Sequence, residues 1–396
     1  MTPSGTIVIA GAGIGGLTAA LALANEGLRV SLVEQAERLD EVGAGIQLSP
    51  NASRTLIGLG LGERLIPLVV APEELKVVNA RSGRMLARAK LGAQAAQRYG
   101  APYWVIHRSD LQAALYDAVA ANPLVTLHLA TRVEDFAIHR NGLTIAALRR
   151  MAPTELHGSV LIGADGLWSA LRQRLGHHQQ PRFAGHTAWR ALVPADLVST
   201  NLREPAINLW LGRHAHLVHY PVKSGRLINV VAILRDDWRE QGWSAYGDKN
   251  EILARFPAGM WKPPARELIG AADRWQKWAL YDCVPLKRWG QGPVTLLGDA
   301  AHPMLPYLAQ GAAMAIEDAA VLAQCLAYSS DDAAALRAYE DKRHERTART
   351  QRAARRNGTI YHMGGAEAFL RSIALLAMRG TGLLRHYNWL YQWKPE

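Results

Sequence analysis

Two hydrophobic periods alternate along the chain, and the points where one replaces the other mark its elements. Thr6 to Ala10 is a short β-type run, and Gly11-Ala-Gly13-Ile-Gly-Gly16 follows at once. An Ala/Leu-rich helix then continues to Glu26 and closes at Gly27, before Arg29 to Val33 makes a second strand ending at Glu34. Gly43 to Leu48 predicts a strand leading into a helix start capped at Ser49. Leu75 to Ala80 and Met85 to Lys90 predict a hairpin. Ile106 to Leu111 opens a helix with Ser109 or Asp110 as its cap. Ser159 to Ala164 stops at Asp165-Gly166, with a helix capped by Ser169 behind it. Val294 to Leu297 stops at Gly298-Asp299, a Pro-rich loop follows, and a helix of small residues opens at Gly311.

Between Pro181 and Cys283 the texture changes. Ala206 to Leu211, His214 to Pro221 and Arg226 to Leu234 are short β runs divided by turns, an antiparallel meander unlike the βα units on either side. A second domain inserted into a nucleotide-binding one is the expectation. In period two, His214, His216, Val218 and Tyr220 share one face, and His219 takes the other. His216 and Tyr220 then stand roughly 13 Å apart, far enough to flank a ring-sized ligand.

Composition narrows the class. A chain of 396 residues that is 49% hydrophobic exceeds one compact core, so two intimate domains are expected. No apolar run is long enough for a membrane span, and Met1 to Ala10 lacks a signal-peptide pattern. Two cysteines, Cys283 and Cys325, make neither a disulfide framework nor a Cys metal site. No His pair has metal spacing with a carboxylate partner, so no metal site is expected, and a cytoplasmic setting is the default. The net charge of +11 raises nucleic acid as a partner, but residues 341–356 alone hold seven basic and two acidic residues. On a helix Lys342, Arg346, Arg349, Arg352 and Arg356 share one face, which reads as a solvated or subunit-facing surface. No nucleic-acid partner is therefore expected, while the excess charge suits acidic small molecules. Six of the twelve tryptophans, Trp238, Trp243, Trp261, Trp275, Trp278 and Trp289, cluster after the meander and read as core or domain-interface residues.

The chemistry lies in the strand ends. Gly11, Gly13 and Gly16 form G-x-G-x-x-G with a strand before and a helix after, and Glu34 follows the last glycine by eighteen residues. Gly11 allows the tight turn, Gly13 lets backbone approach a pyrophosphate, Gly16 lets helix pack on strand, and Glu34 accepts from ribose hydroxyls. By itself the motif does not separate FAD from NAD. Asp299 precedes a helix whose first N–H groups, on Gly311, Ala312 and Ala313, favour negative charge.

GAGIGG with Glu34, GADG with Ser169 and Arg172, and GDAAHPMLPYLAQGAAMAIEDA together resemble the single-component FAD-dependent aromatic hydroxylases over nearly the whole chain. The resemblance implies an α/β fold: a Rossmann-like FAD-binding domain (residues 1–74, 99–180 and 282–345), an inserted mixed-sheet substrate domain (75–98 and 181–281), and a C-terminal helical segment (346–396). It implies bound FAD, with NADH or NADPH as a transient cosubstrate, O2, and a flavin C4a-hydroperoxide that hydroxylates a small aromatic acid. Asp165 and Asp299 would hold FAD, and Arg38 and Arg108 match family positions near it. Many relatives have Asn where Ala313 stands, which leaves only the backbone contact there. His216 is the candidate base for a phenolic proton, Tyr220 and Gln310 are further candidate catalytic residues, and Gln47 and Pro306 join them in the pocket. His302 reads as structural. Two alternatives stay open: hydroxylation of a larger quinolone- or polyketide-type ring, and a flavin-binding protein that no longer hydroxylates. The Arg-rich tail segment leaves a homodimer possible.

Overall fold

The computed structural model describes residues 5–39, 44–242, 245–378 and 382–395. The start of the strand expected from Gly43, the N-terminal stretch up to Ser4, and Trp243 lie outside them.

Four short apolar runs, Ile7–Ala10, Val30–Val33, Val160–Gly163 and Val294–Leu296, are buried along their whole length. Strands with no polar alternation have no water-facing side, so they belong in a parallel sheet covered on both faces. They form one with Val125–His128 at its edge, in the order Val294–Leu296, Val160–Gly163, Ile7–Ala10, Val30–Val33, Val125–His128, every pairing parallel. Helices Ile14–Asn25 and Gly311–Ala327 pack on it through one continuous apolar core. Parallel pairing has a consequence for chemistry: every strand delivers its C-terminal end to the same edge.

The predicted hairpin, Glu74–Asn79 with Met85–Lys90, and the predicted meander, Ala206–Leu211, Ala215–Val222 and Leu227–Arg235, join one eight-stranded mixed sheet. The pairing of Ala206–Leu211 with Glu74–Asn79 is parallel, which is what makes the sheet mixed. The 13-residue strand Arg182–Pro194, the strand Trp275–Asp282, and a separate meander (Thr131–His139, Gly142–Arg149, Ala152–Gly158) were not foreseen from the sequence. One face of the large sheet packs Trp189, Leu217, Val230 and Ala232 against helices Lys249–Arg255 and Pro263–Ala271. The other face looks at the parallel-sheet domain.

The C-terminal helices Gly365–Ala377, Gly382–His386 and Asn388–Tyr391 follow a 30-residue helix, Asp332–Tyr361, which runs through position 346 without a break. Leu383, Leu384, Leu390 and Tyr391 share a core with Val77, Tyr103, Tyr220 and Met314, so the tail locks both domains together. Among the described residues no helix is long and apolar enough to cross a membrane.

Several local expectations are corrected. The helix Arg108–Ala120 is preceded by His107 and has no side-chain cap. Asp110 pairs instead with Lys223, and the Ser109 hydroxyl meets His107 Nδ1 at 2.6 Å. Ser49 does not cap its helix either; its hydroxyl donates to Asn51 Oδ1 at 2.6 Å. His214 lies in a turn at φ 59°, ahead of the strand. The basic face of residues 342–356 is only partly solvated. Arg346 grips Glu317 (2.6 Å) and the carbonyls of Trp389 and Leu390, and Arg349 lies 4.0 Å over the Trp389 ring. Much of that charge holds the tail down. The tryptophans Trp261, Trp275, Trp278 and Trp289 are buried, as expected of core residues.

Candidate functional site

At the carboxyl edge of the parallel sheet the predicted ligand turns converge. Gly11 adopts φ +110°, and a Cβ there would come within 2.4 Å of the Ala164 carbonyl oxygen of the neighbouring turn. A Cβ on Gly16 would stand 1.8 Å from Gly11 O, so strand and helix touch through bare backbone. A Cβ on Gly13 would meet nothing within 4 Å, so this glycine faces open space. Glu34 closes the loop from the next strand, its Oε2 accepting from Ala12 N–H at 2.8 Å and its Oε1 from Ala36 N–H at 2.9 Å.

Asp165 accepts from Leu171 N–H through Oδ2 (3.1 Å), while its buried Oδ1 has no hydrogen-bond partner among the described residues. Ser169 caps the following helix as predicted, accepting from Arg172 N–H at 2.9 Å. The buried Arg172 guanidinium then ties the two Asp turns together, donating to Ala300 O at 3.0 Å and to Leu167 O. Asp299 is exposed to solvent in a crevice walled by protein. Those surroundings push its carboxyl pKa up, against opposing pulls from His302, Arg108 and Arg172. The helix Gly311–Ala327 begins beside it, with no side-chain cap; Gly311 and Ala312 keep solvent contact and Ala313 is buried. Arg38 is exposed and lies just before the segment outside the described residues.

Under that helix start lies a buried polar cluster. Asp318 accepts from His302 (2.6 Å), Gly298 N–H (3.1 Å) and Arg343 (2.7 Å), and Glu317 accepts from Arg343, Arg346 and Asn51. Gln310 belongs here. Its amide donates to Ser49 Oγ at 2.9 Å and accepts from Asn51 at 3.1 Å, and the residue is 1% exposed.

The sheet above carries the remaining candidates. His216 and Tyr220 share the face toward the parallel-sheet domain; His219 is on the other, accepting from Trp210 Nε1 at 3.2 Å. Tyr220, buried and with its phenol pKa raised by that burial, meets Gln47, whose Oε1 also takes Tyr103 Oη at 2.8 Å. Gly45 allows that approach: a Cβ there would press to 2.6 Å from the Tyr220 ring. His216 is 2% exposed and lies 5.6 Å from the ring of Tyr307, in the turn Pro306–Leu308.

Strand register reveals what lies between them. Val218 pairs with Val231, Val231 with Arg190, and Arg190 with Gln276, so four side chains cross the middle of the sheet on one face. All four are partly exposed, in a sheet whose neighbouring residues are largely buried. Central strands expose side chains only where a cleft opens over them. This row stands on the same face as His216 and Tyr220, toward the parallel-sheet domain.

The family model described as an FAD binding domain matches residues 5–355. The chain belongs to the FAD-dependent aromatic hydroxylases. This hydroxylase is 37% identical over 390 residues to 3-hydroxybenzoate 6-hydroxylase of Klebsiella oxytoca, covering 98% of this chain and 97% of that one. It is 36% identical to 6-hydroxynicotinate 3-monooxygenase of Bordetella bronchiseptica, covering 89% and 91%. Among solved structures, HpxO of Klebsiella pneumoniae complexed with FAD and uric acid aligns with a TM-score of 0.84 at 28% identity, over 96% and 95% of the two chains.

Sequence reasoning missed Arg190 altogether. Its guanidinium has no carboxylate partner among the described residues, lies 4.1 Å over the Trp278 ring, and is pushed down to about 10 by burial. The only available signal was a lone Arg between apolar residues in Trp189-Arg190-Ala191, ambiguous until the register placed it over the cleft.

Proposed function

We propose that the hydroxylase inserts one oxygen atom of O2 into a small hydroxylated aromatic or heteroaromatic carboxylate, with NADH or NADPH as reductant. One observation carries the reading. Across a single partly exposed row, an enclosed cation (Arg190) lies two strands, about 10 Å, from the strand that presents His216 and Tyr220. A hydroxylated aromatic acid has the matching pattern of an anion, a flat apolar ring and a phenol.

FAD fits the edge below. The cradle at Gly13 that a Cβ would fill and the unpartnered Asp165 Oδ1 are features a ligand explains. The turn that Gly11 and Gly16 shape would take the pyrophosphate against Gly13, Glu34 the adenosine ribose, and Asp165 and Asp299 the ribityl side, with Arg38 and Arg108 nearby. The N–H groups of Gly311, Ala312 and Ala313 would stabilise negative charge at the ring end. When bound, the flavin supplies the electron transfer and the activation of oxygen.

The protein's own share is to activate and place the ring. His216 takes the phenolic proton, which raises the electron density of the ring to be attacked. Arg190 holds the carboxylate with a charge-assisted hydrogen bond. Tyr220 and Gln47 border one side and Pro306 the other. Gln310, with its amide already engaged by Ser49 and Asn51, positions the helix start and does not touch the ring. NADH and NADPH oxidation measured with hydroxybenzoates and hydroxynicotinates tests this, with product mass followed alongside. Oxidation stimulated by one of these acids, with a product heavier by one oxygen, is expected. A yellow protein that none of them stimulates would defeat the substrate assignment and leave FAD binding intact.

A further inference from the structure

Behind His216 runs an unbroken row of imidazoles. His216 Nδ1 lies 2.8 Å from His362 Nε2, and His362 Nδ1 lies 2.9 Å from His186 Nε2. His186 Nδ1 lies 2.8 Å from the carbonyl oxygen of Ala184. The three residues come from strand Ala215–Val222, from the residue closing helix Asp332–Tyr361, and from strand Arg182–Pro194. His216 and His362 are buried, whereas His186 is half-exposed.

The carbonyl at the outer end sets the order of protons along the row. Ala184 O can only accept, so His186 Nδ1 carries its hydrogen and His186 Nε2 holds a lone pair. His362 must therefore donate from Nδ1 and accept at Nε2, and His216 must donate from Nδ1. That leaves the lone pair of His216 on Nε2, which has no partner among the described residues. The polarity runs one way: an acceptor is presented at the buried end, and each ring hands a hydrogen toward the outer end.

We propose that His216, His362 and His186 form a proton relay carrying the phenolic proton of the substrate from the pocket to the half-exposed edge of the sheet. This rests on the reading of His216 as the proton acceptor. The phenol O–H bond breaks as an N–H bond forms at His216 Nε2. His216 passes its Nδ1 hydrogen to His362 Nε2, and His362 passes its own to His186 Nε2. The positive charge arrives on His186, which releases its Nδ1 hydrogen to water. The reverse sequence returns a proton to the oxygen when the product regains its phenol, and resets the rings.

The surroundings favour transit over storage. Burial, and then the other imidazoles, holds His216 and His362 well below the ordinary histidine range, His362 at about 3. A charge retained on either is costly; burial lowers His186 as well, but there the Ala184 carbonyl supports the charged form and solvent is in reach. The groups facing the row are Tyr307 against all three rings, Tyr361 against His216, Arg235 near His186, and His214, Arg371 and the Ile233 carbonyl near His362, the carbonyl alone favouring a charge there. No carboxylate bonds any of the three rings among the described residues, so no anion there holds the proton.

The test uses the FAD-loaded full chain without reductant, mixed rapidly with 3-hydroxybenzoate in weak buffer containing a pH indicator. Its methyl ether, which has no proton to lose, is the control ligand. His362→Gln keeps a donor and an acceptor between its neighbours, but an amide does not relay protons. Proton release on binding should slow on the order of a hundredfold in His362→Gln, and likewise in His186→Gln, with affinity for the ether unchanged. Release at the wild-type rate in His362→Gln would overturn the relay. So would loss of ether affinity that fully accounts for the slowing, since His362 would then only brace the pocket. A wild-type enzyme that binds 3-hydroxybenzoate and releases no proton would overturn the reading of His216 itself, and the relay with it.

Discussion

Arg190 and Tyr220 show how much a residue's meaning depends on what surrounds it. The Arg190 guanidinium is enclosed, stacked on Trp278, and set in a partly exposed row, and it draws Tyr220 downward against the rise that burial imposes. An anion arriving there exchanges water for a charge-assisted contact worth about 1.5–3 kcal/mol. Arg190→Gln should therefore raise KM for an aromatic carboxylate substrate by roughly ten- to a hundredfold. Binding of the corresponding phenol without a carboxyl group should scarcely change. Steady-state kinetics on the acid and calorimetry on the phenol check both halves. The same scale explains why Gln310 changes role between sequence and structure. It precedes the helix start and so reads as a pocket residue, but its buried amide is bonded to Ser49 and Asn51 on the cofactor-domain side. Nothing in the order of residues announces partners some 260 positions away.

Among the elements, the first strand-turn-helix unit separates two kinds of glycine. Gly16 is required by packing, since a Cβ would overlap Gly11 O at 1.8 Å, and both atoms belong to rigid backbone. Gly16→Ala should destabilise the protein even without FAD, seen as a lower melting temperature of the apoprotein. Gly13→Ala meets open space, so the apoprotein should melt as before. FAD affinity should fall by tenfold or more, on the order of the 1–3 kcal/mol of a displaced polar contact, read by flavin fluorescence. Equal behaviour of the two variants would contradict the assignment of Gly13 to the cofactor. The β-α-β pattern was legible because hydrophobic period, turn residues and acid all fall within thirty residues. The strand Arg182–Pro194 was not, because its partners Leu227–Arg235 and Trp275–Asp282 are distant in sequence and its own pattern is broken by Gly185, His186 and Arg190.

For the molecule as a whole, buried charge and buried neutral imidazoles set the conditions under which it stays folded. Arg343 is 0% exposed between Glu317 and Asp318, and it binds the Gly311 helix to the Asp332–Tyr361 helix. Arg343→Met takes the shared cation from two buried carboxylates, leaving Glu317 to Arg346 and Asp318 to His302, and should cost about 3 kcal/mol, measured as a shift in the urea midpoint. Burial alone would raise the Asp318 pKa, but His302 and Arg343 hold it below the ordinary carboxylate range. Its contribution is therefore complete above about pH 4 and is lost as the pH falls through the lower folded value. His216, His219 and His362 act at higher pH. Burial depresses all three, His219 and His362 to about 3, so the unfolded chain binds protons there before the folded one does. Stability is full above about pH 6.5 and declines below it, by about 1 kcal/mol per histidine between pH 7 and 5.5. Urea midpoints across that range should fall in the wild type, and fall less in His219→Phe, which removes one titrating group away from the cavity.

The sequence by itself determined the local units: the Gly-rich turn between strand and helix, the strands that stop at Glu34, Asp165 and Asp299, and the parity that puts His216 and Tyr220 on one face. Each depends on backbone conformation or periodicity over a few residues, which neighbouring side chains dictate. Only the tertiary structure decided that Arg190 overlooks the cleft, that Arg346 turns inward to Glu317, and that His216 is followed by His362 and His186. Those facts are set by strand register and by the docking of the C-terminal helices, which join residues from 29 to 176 positions apart, where no local pattern carries information.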